Sequence, residues 1–181
     1  MLTQEQKIRL LRIARESIEA ALQGRTIEGI ACPDDPELTR PSGAFVSLHT
    51  RGGELRGCIG SIEAVAPLSL AVSANAIAAA FRDPRFPPVQ EGELTVLQIE
   101  ISVMSPLELV ADTSLIEVGR DGLIVRRGAS AGLLLPQVAT TYGWDRETFL
   151  SQTCRKAGLP PDAWRSPSCR IERFSAEVFS E

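Results

Sequence analysis

The sequence predicts an α+β fold with a largely antiparallel sheet. Segments of strand character come in neighbouring pairs joined by glycine-rich turns, not as regular alternations with helices. Helical periodicity is confined to three well-bounded stretches. Neither G-x-G-x-x-G nor a phosphate loop with G-K-S/T occurs, which argues against a doubly wound nucleotide fold.

Thr3 with Gln6 forms a capping box. Ile8, Leu11, Ala14, Ile18, Ala21 and Leu22 then recur at helical spacing until Gly24 offers a stop. Arg25 to Gly43 is an irregular segment longer than a simple connector, one that wraps the body or covers a site. Ala44–Thr50 and Leu55–Ser61 predict a β-hairpin about Arg51-Gly52-Gly53-Glu54. With Gly52 and Gly53 as the loop, Arg51 pairs with Glu54, His49 with Arg56 and Ser47 with Cys58; a bulge would change this. Alternation then places Val46, Leu48, Leu55 and Ile59 on the apolar face, with Ser47, His49, Arg56 and Cys58 on the other.

Pro67 opens a second helix that must end before Asp83-Pro84-Arg85-Phe86-Pro87-Pro88. Leu94 to Val103 alternates as one long strand, with Leu97, Ile99, Ile101 and Val103 on a common face. Leu123–Arg127 and Leu133–Leu135 predict a second hairpin around Gly128 to Gly132. Asp145 caps a helix that carries Phe149, Leu150 and Cys154 and stops at Gly158, and Cys169 to Phe179 alternates as a final strand.

At 181 residues the chain suffices for one domain or two closely packed lobes without disulfide support. Cys32, Cys58, Cys154 and Cys169 are widely separated, with no C-x-x-C pair and one histidine in the chain, so no structural metal is expected. The N-terminus lacks the apolar core of a secretory signal, which predicts reduced thiols and a cytoplasmic location. No apolar run has the length of a membrane span. A net charge of -4 argues against nucleic-acid binding, though Arg82 with Arg85, or Arg126 with Arg127, could grip one anionic ligand or simply be solvated surface.

Leu55-Arg56-Gly57-Cys58-Ile59-Gly60 is the most site-like segment. It sets a thiol beside a guanidinium and between glycines that allow close backbone approach. Equally, Cys58 is a small packed residue, the glycines ease a strand past its neighbour and Arg56 pairs with a carboxylate. His49, diagonal to Cys58 in the expected register, raises a Cys/His pair without an evident orienting group. Glu100, embedded among isoleucines, either faces solvent or is held by a cation, with Arg56, Arg82 and Arg85 as candidates. Asn75, Gln137, Trp144 and Lys156 suit ligand contacts or loop-fixing hydrogen bonds.

Five ordered blocks cover nearly the whole chain: the Leu55–Gly60 motif; Ala79-Ala80-Phe81 with Asp83 to Pro88; Ile99 to Val103; Leu133 to Ala139; and Cys154 to Pro161. On these the chain resembles the AMMECR-domain family, called AmmeMemoRadiSam system protein A in its bacterial and archaeal members. The resemblance implies two unequal lobes, with the cysteine motif near a cleft between them. It also implies association with a Memo-like protein, related in fold to class III extradiol dioxygenases, and with a radical S-adenosylmethionine protein in a shared modification pathway. It brings no established reaction or cofactor. Arg56, Gly57, Cys58, Gly60, Asp83, Arg85, Glu100 and Gln137 fall within matched blocks; His49 does not.

Two functional expectations follow. In one, the chain binds a ligand or partner through Arg56, Asp83-Pro84-Arg85 and the rigid Pro87-Pro88 loop, and Cys58 is a packing residue. In the other, Cys58 is a nucleophile, redox thiol or carrier, Arg56 and Arg85 hold an anionic substrate and Glu100 orients a cation or relays a proton.

Overall fold

The computed structural model describes residues 1–27 and 30–181. The chain divides into two compact units, Met1–Met104 with Glu177–Glu181 and Ser105–Ala176.

The first unit opens with α1 (Gln4–Leu22). The Thr3 hydroxyl accepts from the Gln6 N–H at 3.2 Å, and Gln6 Oε1 accepts from the Thr3 N–H at 2.9 Å. This reciprocal pair satisfies two donors at the helix start. A short helix, α2 (Pro36–Thr39), is capped by Asp35 and tied to α1 where Gln6 Nε2 donates to Asp35 at 3.0 Å. Part of the long irregular segment is thus ordered against α1, and its residues 28 and 29 lie outside the described residues.

The hairpin forms as β1 (Ala44–His49) and β2 (Leu55–Ser61), but with a longer loop than expected. Thr50 donates to Glu54, Gly53 donates back to Thr50 and Gly53 has φ +82°. That is a three-residue connection with glycine in the left-handed region. A bulge at Arg56 absorbs the offset, so His49 opposes Leu55 instead of Arg56, while Ser47 opposes Cys58 as expected. The bulge also reverses Leu55, which is exposed instead of sharing the apolar face of Val46 and Leu48.

Beyond the hairpin, α3 (Leu68–Phe81) starts after Pro67 and ends ahead of Asp83-Pro84. Leu94, expected to begin the next strand, instead closes a single turn, α4 (Glu91–Leu94), and the strand β3 starts four residues later and runs Gln98–Met104. β1 is central, antiparallel to both β2 and β3. Helices α1 and α3 cover one face of this sheet. There Val46, Leu48, Val72, Ala76, Ile99 and Ile101 have no exposure, and the hydroxyls of Ser17 and Ser73 meet at 2.7 Å between the helices. Burial of these aliphatic side chains supplies the main driving force for the unit.

The second unit begins with a two-residue strand, β4 (Glu108–Leu109), followed by β5 (Gly122–Arg127) and β6 (Ser130–Leu134). Arg127 pairs with Ser130, so the loop is only Gly128-Ala129, and residues expected in the turn belong to the strand. After α5 (Pro136–Thr141), α6 (Arg146–Lys156) is capped by Asp145, whose carboxylate accepts the Thr148 N–H at 2.8 Å. Phe149, Leu150 and Cys154 of α6 pack on Leu123 and Val125 of β5 and on Ile171 of β7 (Arg170–Phe174). The sheet order is β4-β7-β5-β6.

The final alternating run is two strands, not one. β7 ends at Phe174, and β8 (Ala176–Ser180) joins the first sheet beside β3, giving the order β2-β1-β3-β8. Both sheets with their flanking helices make an α+β fold. Among the described residues no helix is long and apolar enough to cross a membrane.

Candidate functional site

The Leu55–Gly60 motif is β2, an edge strand of the first sheet. Both glycines have their side-chain space filled by the protein itself. A Cβ on Gly57 would lie 2.2 Å from the Ala79 carbonyl oxygen of α3. On Gly60 it would lie 2.4 Å from the Phe45 ring and the Ala44 carbonyl oxygen. Glycine here lets a helix backbone on one face and an aromatic ring on the other close on the strand.

Cys58 is fixed through its peptide groups. Its N–H donates to Asp83 Oδ2 at 2.9 Å, and its carbonyl accepts from Arg85 Nη2 at 3.4 Å. Unpaired groups on an edge strand invite foreign pairing; here two side chains of the Asp83-Pro84-Arg85 turn take the place of a neighbouring strand. Asp83, 5 % exposed, also accepts from the Arg85 backbone N–H and from Arg85 Nε and Nη2, the latter two at 2.9 and 2.7 Å. The Arg85 guanidinium, helped by the Cys58 and Arg85 N–H groups, holds the Asp83 carboxyl well below the usual carboxylate range against the opposing effect of burial. Outside this clamp the guanidinium lies 5.5 Å from the Phe86 ring centre and is half-exposed.

Arg56 does not sit as a free cation beside the thiol. Its Nε and Nη2 pair with Glu93 at 2.9 and 3.1 Å, and Nη1 donates to the Pro87 carbonyl at 2.9 Å. Arg56 thus ties β2 to the proline loop and to α4. The same contact, with the Gln90 N–H, holds the Glu93 carboxyl below its ordinary range. Glu93 was not singled out by the sequence, because a pairing across 37 positions leaves no periodic trace.

The face of the sheet turned away from α1 and α3 carries the remaining groups. Cys58, Ser47 and Glu100 lie in one cross-strand row, Cys58 opposite Ser47 and Ser47 opposite Glu100. The Ser47 hydroxyl donates to Cys58 Sγ at 3.2 Å. Glu100 is not held by Arg56, Arg82 or Arg85; its nearby cation-forming group is His49, with Nε2 3.9 Å from Oε1. That nitrogen is buried and lacks a hydrogen-bond partner among the described residues. Alternation predicts Ser47, His49 and Cys58 on one face of the hairpin and Glu100 on the polar side of its own strand; only the pairing of β1 with β3 brings the two sets together.

The other sequence candidates separate. Asn75 Nδ2 donates to the Ala44 carbonyl at 3.0 Å, a fold-fixing bond. Gln137 belongs to the second unit, exposed in the first turn of α5, where its carbonyl accepts from the Thr140 and Thr141 hydroxyls. Cys32 and Cys154 are buried, and burial pushes the Cys154 and Cys169 thiols up. Among the described residues no group of three or more His, Cys, Asp or Glu side chains is placed to hold a metal ion. A polar concavity of about 160 Å³ in the second unit is lined by Glu108, Arg120, Asp121 and Arg173, whose charges pair with one another.

The AMMECR1 family model matches residues 11–179. A protein from Methanothermobacter thermautotrophicus is 51 % identical over 180 residues, spanning 95 % of this chain and 92 % of that one. A Thermococcus onnurineus protein is 48 % identical over 184 residues, spanning 95 % and 88 %. A crystal structure of the uncharacterized protein PH0010 from Pyrococcus horikoshii superimposes with a TM-score of 0.80 at 45 % identity, covering 95 % of this chain and 89 % of that one. With the family model spanning nearly its full length and relatives near half identity, the chain belongs to the AMMECR1 family.

Proposed function

We propose that this chain is a cytoplasmic ligand- or partner-binding component of a pathway shared with a Memo-like protein and a radical S-adenosylmethionine protein, with the Asp83–Pro88 loop beside β2 as its recognition surface. The observation that supports this reading is that both arginines of the site are already paired within the chain, Arg56 with Glu93 and Arg85 with Asp83. Such pairing makes a poor open grip for an anionic substrate and a good preformed surface, because the loop is ordered before any partner arrives. Pro84, Pro87 and Pro88 are exposed along it, and the half-exposed Arg85 guanidinium, held in place by Asp83 beside the Phe86 ring, adds a rigid flat surface of the kind arginines supply at interfaces. The test is binding of the purified Memo-like and radical S-adenosylmethionine proteins to wild type, Arg85→Glu and a control, Arg12→Glu, on exposed α1 surface. Arg85→Glu is expected to abolish capture of at least one of the two while Arg12→Glu retains it; equal capture by all three overturns the reading.

A second reading, a cysteine-dependent enzyme or cofactor-handling protein, is favoured by one observation: the Ser47 hydroxyl is bonded to Cys58 Sγ, on the same face as His49 and Glu100. In this reading Arg56, Gly57, Gly60, Asp83 and Arg85 form the frame that fixes the thiol.

A further inference from the structure

We propose that the face of the first sheet turned away from α1 and α3 is a thiol site in which Cys58 is the nucleophile, His49 takes its proton, Glu100 orients His49 and Ser47 positions the sulfur. The inference rests on the second reading above and assigns its acid/base groups. Ser47 is bonded to the sulfur at 3.2 Å. His49 follows Ser47 by two residues on β1, so its ring shares the face and stands diagonal to Cys58, at the roughly 7–8 Å backbone spacing that an aromatic side chain bridges. Its Nε2 is withdrawn from water, lacks a hydrogen-bond partner among the described residues and lies 3.9 Å from Glu100 Oε1 on β3, so Nε2 is the nitrogen Glu100 would orient and Nδ1 the one left to take the thiol proton. An imidazole beside a carboxylate, with a thiol one position away, is the nucleophile, base and orienting group of cysteine catalysis, with contacts that tighten when substrate arrives.

The surrounding charges leave this role to the same pair. Asp83 and Arg85 neutralise each other at the Cys58 peptide, and Arg56 is paired with Glu93. Helix α3, packed behind β2, has no titratable side chain. The substrate class is an electrophilic carbon bearing a leaving group, such as an activated acyl carbon. The proton passes from Sγ to His49 as the sulfur lone pair forms the S–C bond. The bond to the leaving group breaks, that group departs with its electron pair, and it recovers the proton from His49.

The experiment is alkylation of the native full-length protein by iodoacetamide from pH 6 to 9, with the rate at Cys58 read by mass spectrometry. Buried Cys154 serves as the marker of unfolding. Wild-type Cys58 is expected to label in the native state, with His49→Gln slower by about tenfold at pH 7 and Glu100→Gln slower by about threefold. Ser47→Ala is expected to be slower as well, and His49→Asn repeats the test should His49→Gln lower Tm. A bystander Glu100 gives the opposite sign, since removing an anion beside a thiolate speeds labelling. Faster labelling in Glu100→Gln, or wild-type rates and pH profiles in both the His49 and Glu100 variants, overturns the assignment while leaving Cys58 chemistry standing. Cys58 that labels only together with Cys154 on unfolding overturns the second reading and the inference together.

Discussion

The two faces of the first sheet are built from the same strands and have opposite characters. Toward α1 and α3, Val46, Leu48, Ile99 and Ile101 are wholly buried. On the opposite face, Ser47, His49, Cys58 and Glu100 are only partly covered and carry hydroxyl, imidazole, thiol and carboxylate. Because side chains alternate along a strand, adjacent residues meet different surroundings, Ile99 buried against the helices and Glu100 among polar groups on the other face. The lesson is that a substitution can reach the apolar core or the polar face separately, at one-residue resolution.

The largest break in that comparison comes from adjacent substitutions on β3. Ile99→Ala removes a fully buried side chain from the helix-covered face and is expected to cost about 4 kcal/mol, the transfer loss plus the cavity left behind. Glu100→Gln, one residue on, is expected to stay within about 0.5 kcal/mol of wild type because it exchanges a partly exposed group for an isostere. Urea unfolding of both variants measures the gap, and similar losses would mean that the second face is also structural.

Next in size is Gly57→Ala, which sharpens the question of what the motif's glycines do. The new methyl would sit 2.2 Å from the Ala79 carbonyl oxygen, a backbone atom that cannot swing aside, so α3 or β2 must shift. A loss of about 3 kcal/mol is expected, at the upper end of ordinary overpacking. Gly53→Ala probes a different constraint. It has open space around it but φ +82°, so its cost would come from backbone conformation alone.

How far the sequence reveals all this follows from the range of each signal. The capping box at Thr3 and the Asp145 cap are local, and both appear where composition and spacing place them. Alternation buries Ile99 and Ile101 as expected, whereas Ser47 opposes Cys58 because the longer loop and the Arg56 bulge offset one another. The hairpin loop differs from expectation because Gly-Gly fits a two-residue turn as well as a three-residue one, and only the paired strand reveals the Arg56 bulge. Alternation also continues through Ser175, so nothing local marks where β7 ends in one sheet and β8 starts in the other. Among the site residues, the clamp of Asp83 on Cys58 and the pairing of Arg56 with Glu93 join positions 25 and 37 apart, beyond the reach of any periodic pattern.

The smallest expected effect concerns the edge between the two faces, where Asp83 fastens β2. Its carboxyl is held below its ordinary value of 3.8 by Arg85 and by the Cys58 and Arg85 N–H groups, so the fold favours the ionised form. Stability from this source is fully present above the unfolded value and is lost as pH falls through 3.8 toward the lower folded midpoint. Asp83→Asn keeps the shape, loses the charge and replaces one acceptor oxygen with a donor that clashes with Arg85 or the Cys58 N–H. The variant should therefore melt a few degrees lower than wild type at pH 7, with the difference shrinking as both are titrated to pH 3 and below. Calorimetric Tm across that range measures the convergence, and amide exchange at Cys58 reports whether the edge has loosened. Parallel Tm curves, with Cys58 exchange unchanged, would show that the Asp83 clamp carries no proton-linked stability and that β2 is held by its glycine contacts with α3 and Phe45.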